Sequence, residues 1–492
     1  MRKRLTWAAA RVLACLLLAP VAHVARGADP TESDYYRIVE LPIPDDVFLE
    51  VAALEWMADG RLAVSSRRGD IYMVEGALAK SPADARFTRY AQGLHEALGL
   101  AERDGALYAT QRGEVTRISD TTSDGRADLF ETVSYGWEID GDYHEYAWGS
   151  RFDANGDIWI VLCLTGSFEA RNDFRGWCVR VNADGTMTPT ASGIRSPGGI
   201  GFNAVGDVFY TDNQGDWNGT CGLKWLRPGS FQGNPSGNRY YALTSAIGPR
   251  PINPRNRSRI MDEAERIPEM EPTAVLFPFV KMGRSASGIA CDTEGTFGPF
   301  ATQLFVGDQA HSTVMRVFLE KVRGHYQGAC FPFVEGFASG SLALRFSPDG
   351  SALFVGGTNR GWGSTGRQEY ALERLDWSGE TPFEVDEMRA TPDGFGLTFT
   401  HDIDPGAAGD LASYAMQTYT YIYRSGYGSP EVDHTTPGLV AARVGDDRQS
   451  VRLTVDGLRE GHVHELRLDG VRSADGLPLL HPVAYYTLNY IP

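Results

Sequence analysis

Apolar and polar residues alternate along most of this chain in short runs broken by turn residues, and the period is that of strands rather than helices. One phrase recurs: an apolar run, a turn built on Asp, Asn or Gly, a second run ending in aromatic and β-branched residues, then a loop. The first copies are Ala53 to Val64 with Asp59-Gly60, Leu98 to Thr110 with Asp104-Gly105, and Ala147 to Val161 with Asn155-Gly156. The later ones are Gly199 to Thr211 with Gly206-Asp207, Gly288 to Gly307, and Leu344 to Gly356 with Asp349-Gly350. Apart from one long interval before the fifth copy they return about every fifty residues, enough for four strands of ~5 to 6 residues plus turns, so each interval predicts one small antiparallel sheet. A lone sheet with two apolar faces cannot bury both, whereas sheets set radially bury each against the next. The pattern therefore predicts an all-β chain whose residues 28–380 form a six-bladed β-propeller. A β-sandwich with regular turns is the alternative, and the recurrent turn position argues against it.

The long interval before the fifth copy holds Arg250, Arg255, Arg257 and Arg259, then a short helical pattern around Met261 to Arg266. Such an insertion is either a lid or a solvated excursion. From about Thr381 the repeat stops. Phe395 to Thr400, Tyr419 to Arg424, Ser450 to Val455, His462 to Leu468 and Ala484 to Leu488 alternate between turns. Residues 381–492 thus predict a separate, antiparallel, immunoglobulin-like β-sandwich.

The opening residues change the picture. Arg2, Lys3 and Arg4 precede an apolar stretch from Leu5 to Ala19 and a small-residue exit at Ala25-Arg26-Gly27, so residues 1–27 read as a signal peptide and the protein as secreted or periplasmic. The stretch is short for a membrane span, which needs ~20 apolar residues, and no later segment is apolar for that long. The chain carries a net charge of −17, and loss of a basic leader makes it more acidic still. That balance excludes nucleic-acid partners, which require a basic footprint. Cys163 and Cys178, on consecutive predicted strands, are the candidate disulfide in an oxidising compartment.

In a propeller, residues just before each repeat and just after its second strand converge on one rim. This rule gathers Arg67, Arg68, Gln111, Arg112, His144, Arg195, Asp212, Asn213, Gln214, Asp216, Asp308, Gln309, His311, Asn359 and Arg360. Arginines from four blades aimed at one axis repel unless a negatively charged or strongly polar ligand lies between them. His144, flanked by Asp142 and Glu145, is the candidate general base, with the adjacent carboxylates expected to raise its basicity and orient its ring. A separate motif runs from Asp120 to Glu131. Asp120, Thr122, Asp124, Arg126, Asp128 and Glu131 match the ligand spacing of a twelve-residue calcium loop, with Gly125 at its sharp turn and the carbonyl of Arg126 as one ligand. A stabilising Ca²⁺ is the expectation there, against an acidic turn.

Leu62 to Ile71 (LAVSSRRGDI), Arg195 to Gly201 (RSPGGIG), Phe297 to Gly307 (FGPFATQLFVG) and Arg360 to Gly366 (RGWGSTG) make the chain similar to the soluble quinoprotein glucose dehydrogenase and sorbosone dehydrogenase superfamily. It looks closest to the secreted planctomycete-type branch, and the likeness extends from about Tyr35 to the C-terminus. The resemblance implies oxidation of a sugar or alcohol by hydride transfer to pyrroloquinoline quinone (PQQ), with His144 as base and a separate electron acceptor. It matches Arg195 to a cofactor-binding arginine, although Ser196 stands where the family has asparagine. Gln214-Gly215-Asp216 corresponds to a calcium-binding Gln-Gly-Pro run with its proline replaced. The family's lysine has no counterpart in Asp308-Gln309-Ala310-His311, nor its arginine pair in Ser341-Leu342-Ala343, which leaves Arg67, Arg112, Arg195 and Arg360 as cations for the quinone. Asn213, Gln214 and Asp308 complete the candidate cofactor set. Two further readings stand beside this one: a non-catalytic propeller binding a carbohydrate or protein, and glycoside cleavage by a carboxylate pair such as Asp142 and Asp216.

Overall fold

The computed structural model describes residues 29–492, so the expected signal peptide at 1–27 lies outside the described residues. Among the described residues the chain forms four-stranded antiparallel sheets and one eight-stranded sheet, with only short helices. Each recurrent phrase is the first hairpin of a sheet. Its strands are Val51–Trp56 with Leu62–Ser66, Gly99–Arg103 with Ala106–Thr110, Ala147–Phe152 with Ile158–Leu162, Pro197–Phe202 with Val208–Asp212, Ala286–Cys291 with Leu304–Asp308, and Ser341–Phe346 with Ala352–Thr358. Several turns are set by an Asx contact: Asp59, Asp153, Asn203 and Asp349 each accept from the backbone N–H two residues on.

The first strands of these hairpins touch in sequence order, and the sixth touches the first, so they close a ring. Val51–Trp56 is buried along its whole length because sheets cover both its faces. Closure depends on a strand the repeat does not announce: Tyr36–Glu40, from the start of the described chain, pairs with Tyr370–Trp377 as the outermost strand of the sixth sheet. The insertion before the fifth sheet carries the helix Ile260–Arg266. Arg250, Arg255 and Arg257 are exposed on it, as a solvated excursion requires, but its far end is tied down: Arg259 pairs with Asp433, and Ser258 bridges to Tyr423.

Beyond residue 381 the expected strands form, joined by Val385–Thr391, Glu431–Thr435 and Gly438–Val444. They are not separate from the rest. Val483–Leu488 pairs with the long strand His325–Glu335, so the fifth sheet runs on without a break into the C-terminal strands. Phe318 and Phe331 from that sheet share one apolar core with Phe395, Leu397, Leu453, Leu466 and Tyr486.

The expected Cys163–Cys178 disulfide is absent, since both thiols are free and buried. Val161, not Cys163, stands opposite Cys178, and the Cys163 Sγ turns instead toward Ser167, Ser196 and the Arg195 carbonyl. Among the described residues no helix is long and apolar enough to cross a membrane.

Candidate functional site

At the end of the ring where the first strands begin lies a cavity of about 440 Å³. Residues from several sheets line it, as the strand geometry requires: Arg67 after the first hairpin, His144 before the third, Arg195 before the fourth, Asn213 and Gln214 after it, and Arg360 after the sixth. His144 and Arg195, 51 positions apart in sequence, thus share one chamber. Three other expected residues, Arg112, Asp142 and Asp308, stand behind its wall.

Asp308 does not face a cofactor. Its buried carboxylate accepts from the backbone N–H of Arg284 (2.7 Å), Ser285 (2.8 Å) and His311 (2.9 Å). Asp212 does the same one sheet earlier, accepting from Ser196 N–H at 2.8 Å and Arg195 N–H at 3.4 Å while pairing with Lys224. Each aspartate ends the second strand of its hairpin and clamps an Arg-Ser dipeptide at the start of the first. Arg284 is therefore the fifth-sheet counterpart of Arg195. It lines the cavity, and no ion pair engages its guanidinium among the described residues. The sequence reading missed it, although the likeness of Arg195-Ser-Pro-Gly-Gly to Arg284-Ser-Ala-Ser-Gly was available.

Carboxylates supply much of the charge balance that the arginines need. Glu96, buried between two sheets, bridges Arg67 at 2.6 Å and Arg112 at 2.5 Å. Burial opposes the charge on Arg67, but Glu96 and Tyr146 override it and hold the guanidinium more firmly protonated than usual. Glu50 bridges Arg68 and Arg360 in the same way. Arg195 meets Asp216 at 3.1 Å and donates to the Gln214 carbonyl, with its guanidinium set over the rings of Phe168 and Tyr427. Gly215 permits this packing, since a Cβ there would stand 2.0 Å from the Arg195 guanidinium carbon. Arginines still exceed carboxylates, because Glu96 and Glu50 each serve two and Arg284 has none.

Arg112 holds the histidine segment rather than a ligand. Its two terminal nitrogens donate to the carbonyls of Asp142 (2.7 Å) and Tyr143 (2.8 Å). Asp142 in turn accepts from the backbone N–H of His144 (2.9 Å) and Gly166 (2.8 Å), tying this segment to the next loop. The ring of His144 packs edge-on against Tyr143 and Tyr146, and among the described residues no hydrogen bond engages either ring nitrogen. The expected rise in its basicity is overturned. Burial lowers the pKa, Asp142 opposes that, and Arg195, Arg112 and Arg67 add to the depression. The surroundings of His144 thus favour its neutral form, the one that accepts a proton.

The calcium expectation does not fit. Asp120 accepts from the N–H groups of Asp124 and Gly125 and from Thr122 Oγ1, and Asp128 is taken by the Thr121 N–H and hydroxyl. Asp124 caps Arg126 N–H, and Glu131 lies on a strand opposite Arg117, bonded to it at 2.6 Å. The loop closes on itself as an acidic turn. At Gln214-Gly215-Asp216 the carboxylate is engaged by Arg195 and Asn234, and the Gly215 carbonyl by Asn218 and Gly428. Among the described residues no cluster of three His, Cys, Asp or Glu is placed to hold a metal. A polyanionic quinone fits better. The wall offers Arg195, Arg284 and Arg360, and the buried Trp148 Nε1–H has no acceptor among the described residues. An oxyanion in the cavity would satisfy both the cations and that donor.

A family model described as a domain of unknown function (DUF7133) matches residues 50–330. No curated protein matches the chain. Among solved structures, an oxidoreductase (glucose dehydrogenase) of Thermus thermophilus aligns at 19% identity with a TM-score of 0.50, over 69% of this chain and 99% of its own. The PQQ-bound aldose sugar dehydrogenase of Streptomyces coelicolor aligns at 17% identity and a TM-score of 0.47, over 71% of this chain and 100% of its own. The pyranose dehydrogenase PQQ domain of Coprinopsis cinerea aligns at 12% and 0.49, over 69% and 95%. The Thermus likeness shows a shared fold.

Proposed function

The chain belongs to the DUF7133 family, which brings no activity of its own, and from the cavity we propose that it is a secreted dehydrogenase oxidising a carbohydrate hydroxyl. The observation that carries this reading is His144: an imidazole with no hydrogen bond at either ring nitrogen among the described residues, in a chamber where arginines outnumber carboxylates and favour its neutral form. PQQ, when bound, supplies an acceptor for the hydride that leaves the carbinol carbon. His144 takes the hydroxyl proton at a ring nitrogen, so that removal of hydride and proton together leaves a carbonyl. Arg195, Arg284 and Arg360 would hold the carboxylates of the quinone, and the Trp148 Nε1–H would be free to donate to an oxygen of the ligand. Arg112 and Asp142 are positioning residues that fix the backbone on either side of the histidine ring. The resemblance implies a separate electron acceptor that would reoxidise the cofactor.

The same reading takes the closed ring as a six-bladed propeller over residues 28–380 and the following strands as an immunoglobulin-like sandwich over 381–492. Ring closure by Tyr36–Glu40 supports the first, and the core shared by facing C-terminal strands supports the second. It also takes residues 1–27 as a signal peptide, the compartment as secreted or periplasmic, and the branch as planctomycete-type. Dye reduction over a panel of sugars by protein supplied with PQQ tests the proposal. Turnover in the wild type and a loss of about 10²-fold or more in His144→Ala are expected, and equal rates in the two proteins would refute the histidine's role. A second reading, a non-catalytic binding propeller, is favoured by the carboxylate partners that Arg67, Arg195 and Arg360 already possess. Sugar binding without dye reduction would select it.

A further inference from the structure

Four large aromatic side chains stand exposed around this one cavity: Tyr427 at 55%, Phe168 at 52%, Trp362 at 48% and Tyr143 at 41%. Exposed rings are costly to leave in water, and their grouping at a single opening marks a binding surface. Two of them lie together and two stand near the Gly361 turn. Phe168 and Tyr427 lie 6.4 Å apart and share the Arg195 guanidinium. Tyr143 reaches Gly361, whose positive φ of 80° and missing Cβ leave room for the phenol, and Trp362 follows directly.

Tyr427 comes from the C-terminal region, far outside residues 50–330. Its loop is fastened to the fourth sheet. Gly428 N–H donates to the Gly215 carbonyl, Ser429 N–H to Gly219, and Trp217 N–H to Arg424. Behind it Tyr423 is buried against Phe231, Ile267 and Met270, with Trp217 packed alongside, so the arginine-bearing insertion serves as the buttress for this loop.

We propose that these rings form a groove for a glycan chain, so that the substrate is one unit of an oligo- or polysaccharide rather than a free sugar. This rests on the reading of the cavity as a sugar site and specifies its substrate class. Flat aromatic faces pack on the C–H faces of pyranose rings, while Asn213 and Gln214 at the same opening offer polar groups to hydroxyls. The four rings come from four different loops around the opening, and neighbouring units of a chain reach more of them than one sugar does. The C-terminal region, through Tyr427, thereby becomes part of the specificity apparatus.

The test is binding, independent of any quinone. A glycan array of neutral and acidic chains identifies a ligand, and titration calorimetry follows its affinity from one unit to six. Affinity should rise with chain length, and Tyr427→Ala, Phe168→Ala and Trp362→Ala should each weaken the longest chain about fivefold to tenfold. Tyr427→Phe, which keeps the ring face, should bind as the wild type does. These side chains are at the surface, so unchanged melting temperatures separate lost binding from lost folding. No saturable binding on the array, or affinity indifferent to chain length, would overturn the groove. Dye reduction with monosaccharides would leave the dehydrogenase reading standing in that event, whereas chain binding without dye reduction would uphold the groove and remove the dehydrogenase.

Discussion

Replacing Glu96 by Gln removes the one carboxylate between Arg67 and Arg112. All three side chains are more than nine-tenths buried in the protein, and both contacts are shorter than 2.7 Å, so the two guanidiniums would face each other without compensation. Removing one partner from a buried ion pair costs about 3–5 kcal/mol. With an unfolding entropy of about 2.1 cal/mol/K per residue, a chain of this length loses about 1 °C of Tm per kcal/mol, so the expected fall is about 3–5 °C. The damage should be local as well, because Arg112 carries the Asp142 and Tyr143 carbonyls and Arg67 carries the Arg360 carbonyl and Tyr146 hydroxyl. Differential scanning calorimetry gives the first quantity, and hydrogen exchange of the peptide around His144 the second. Adding Arg112→Gln to Glu96→Gln should return about 1–2 kcal/mol, since it removes one of the two repelling charges. A single variant that melts within about 1 °C of the wild type, with unchanged exchange around His144, would refute the role assigned to Glu96.

Because burial and three arginines depress the His144 pKa, the acid limb of kcat/KM should lie below about pH 6.5, the ordinary histidine value. Arg195→Gln, by removing one of those charges, should move it upward, and a limb that stays in place would contradict the electrostatic account. His481 sits between Glu384 and Glu32. Burial opposes its charge, yet the two carboxylates raise its pKa to about 9. Since the folded value lies above the unfolded one, this stabilisation is complete below about pH 6.5 and is lost by about pH 9, worth about 3 kcal/mol at most. Urea denaturation across that window should show the loss in the wild type and a flatter profile in His481→Gln. Chelation should leave the melting temperature unchanged, since the Asp120–Glu131 turn is satisfied by its own N–H groups and Arg117. A fall on chelation that calcium reverses would show that the turn holds a metal after all.

The hairpins were legible because both of their faces are buried and their turns carry Asx residues, so local pattern and final environment agree. Tyr36–Glu40 was not, because nothing in five residues announces a partner at Tyr370–Trp377. The rim rule brought His144, Arg195, Asn213, Gln214 and Arg360 to one cavity, since strand ends fix position regardless of side chain. It could not say which arginines face inward. Glu50 and Glu96, which decide that question, lie in stretches that no motif marks. The calcium spacing failed for a different reason: matching oxygens compete with the N–H groups of their own loop, and Glu131 falls on a strand opposite Arg117. Tyr427 was out of reach altogether, because its loop meets Arg195 only through the C-terminal sheet.

The central claim is that this cavity oxidises a sugar hydroxyl with His144 as the base. Single-turnover absorbance spectroscopy of protein loaded with PQQ tests it most directly. The account predicts that sugar reduces the bound quinone in the wild type, and that His144→Ala acquires the same bound spectrum but is reduced about 10²-fold more slowly or worse. A wild-type spectrum that sugar does not alter, or equal reduction of both proteins, would contradict it.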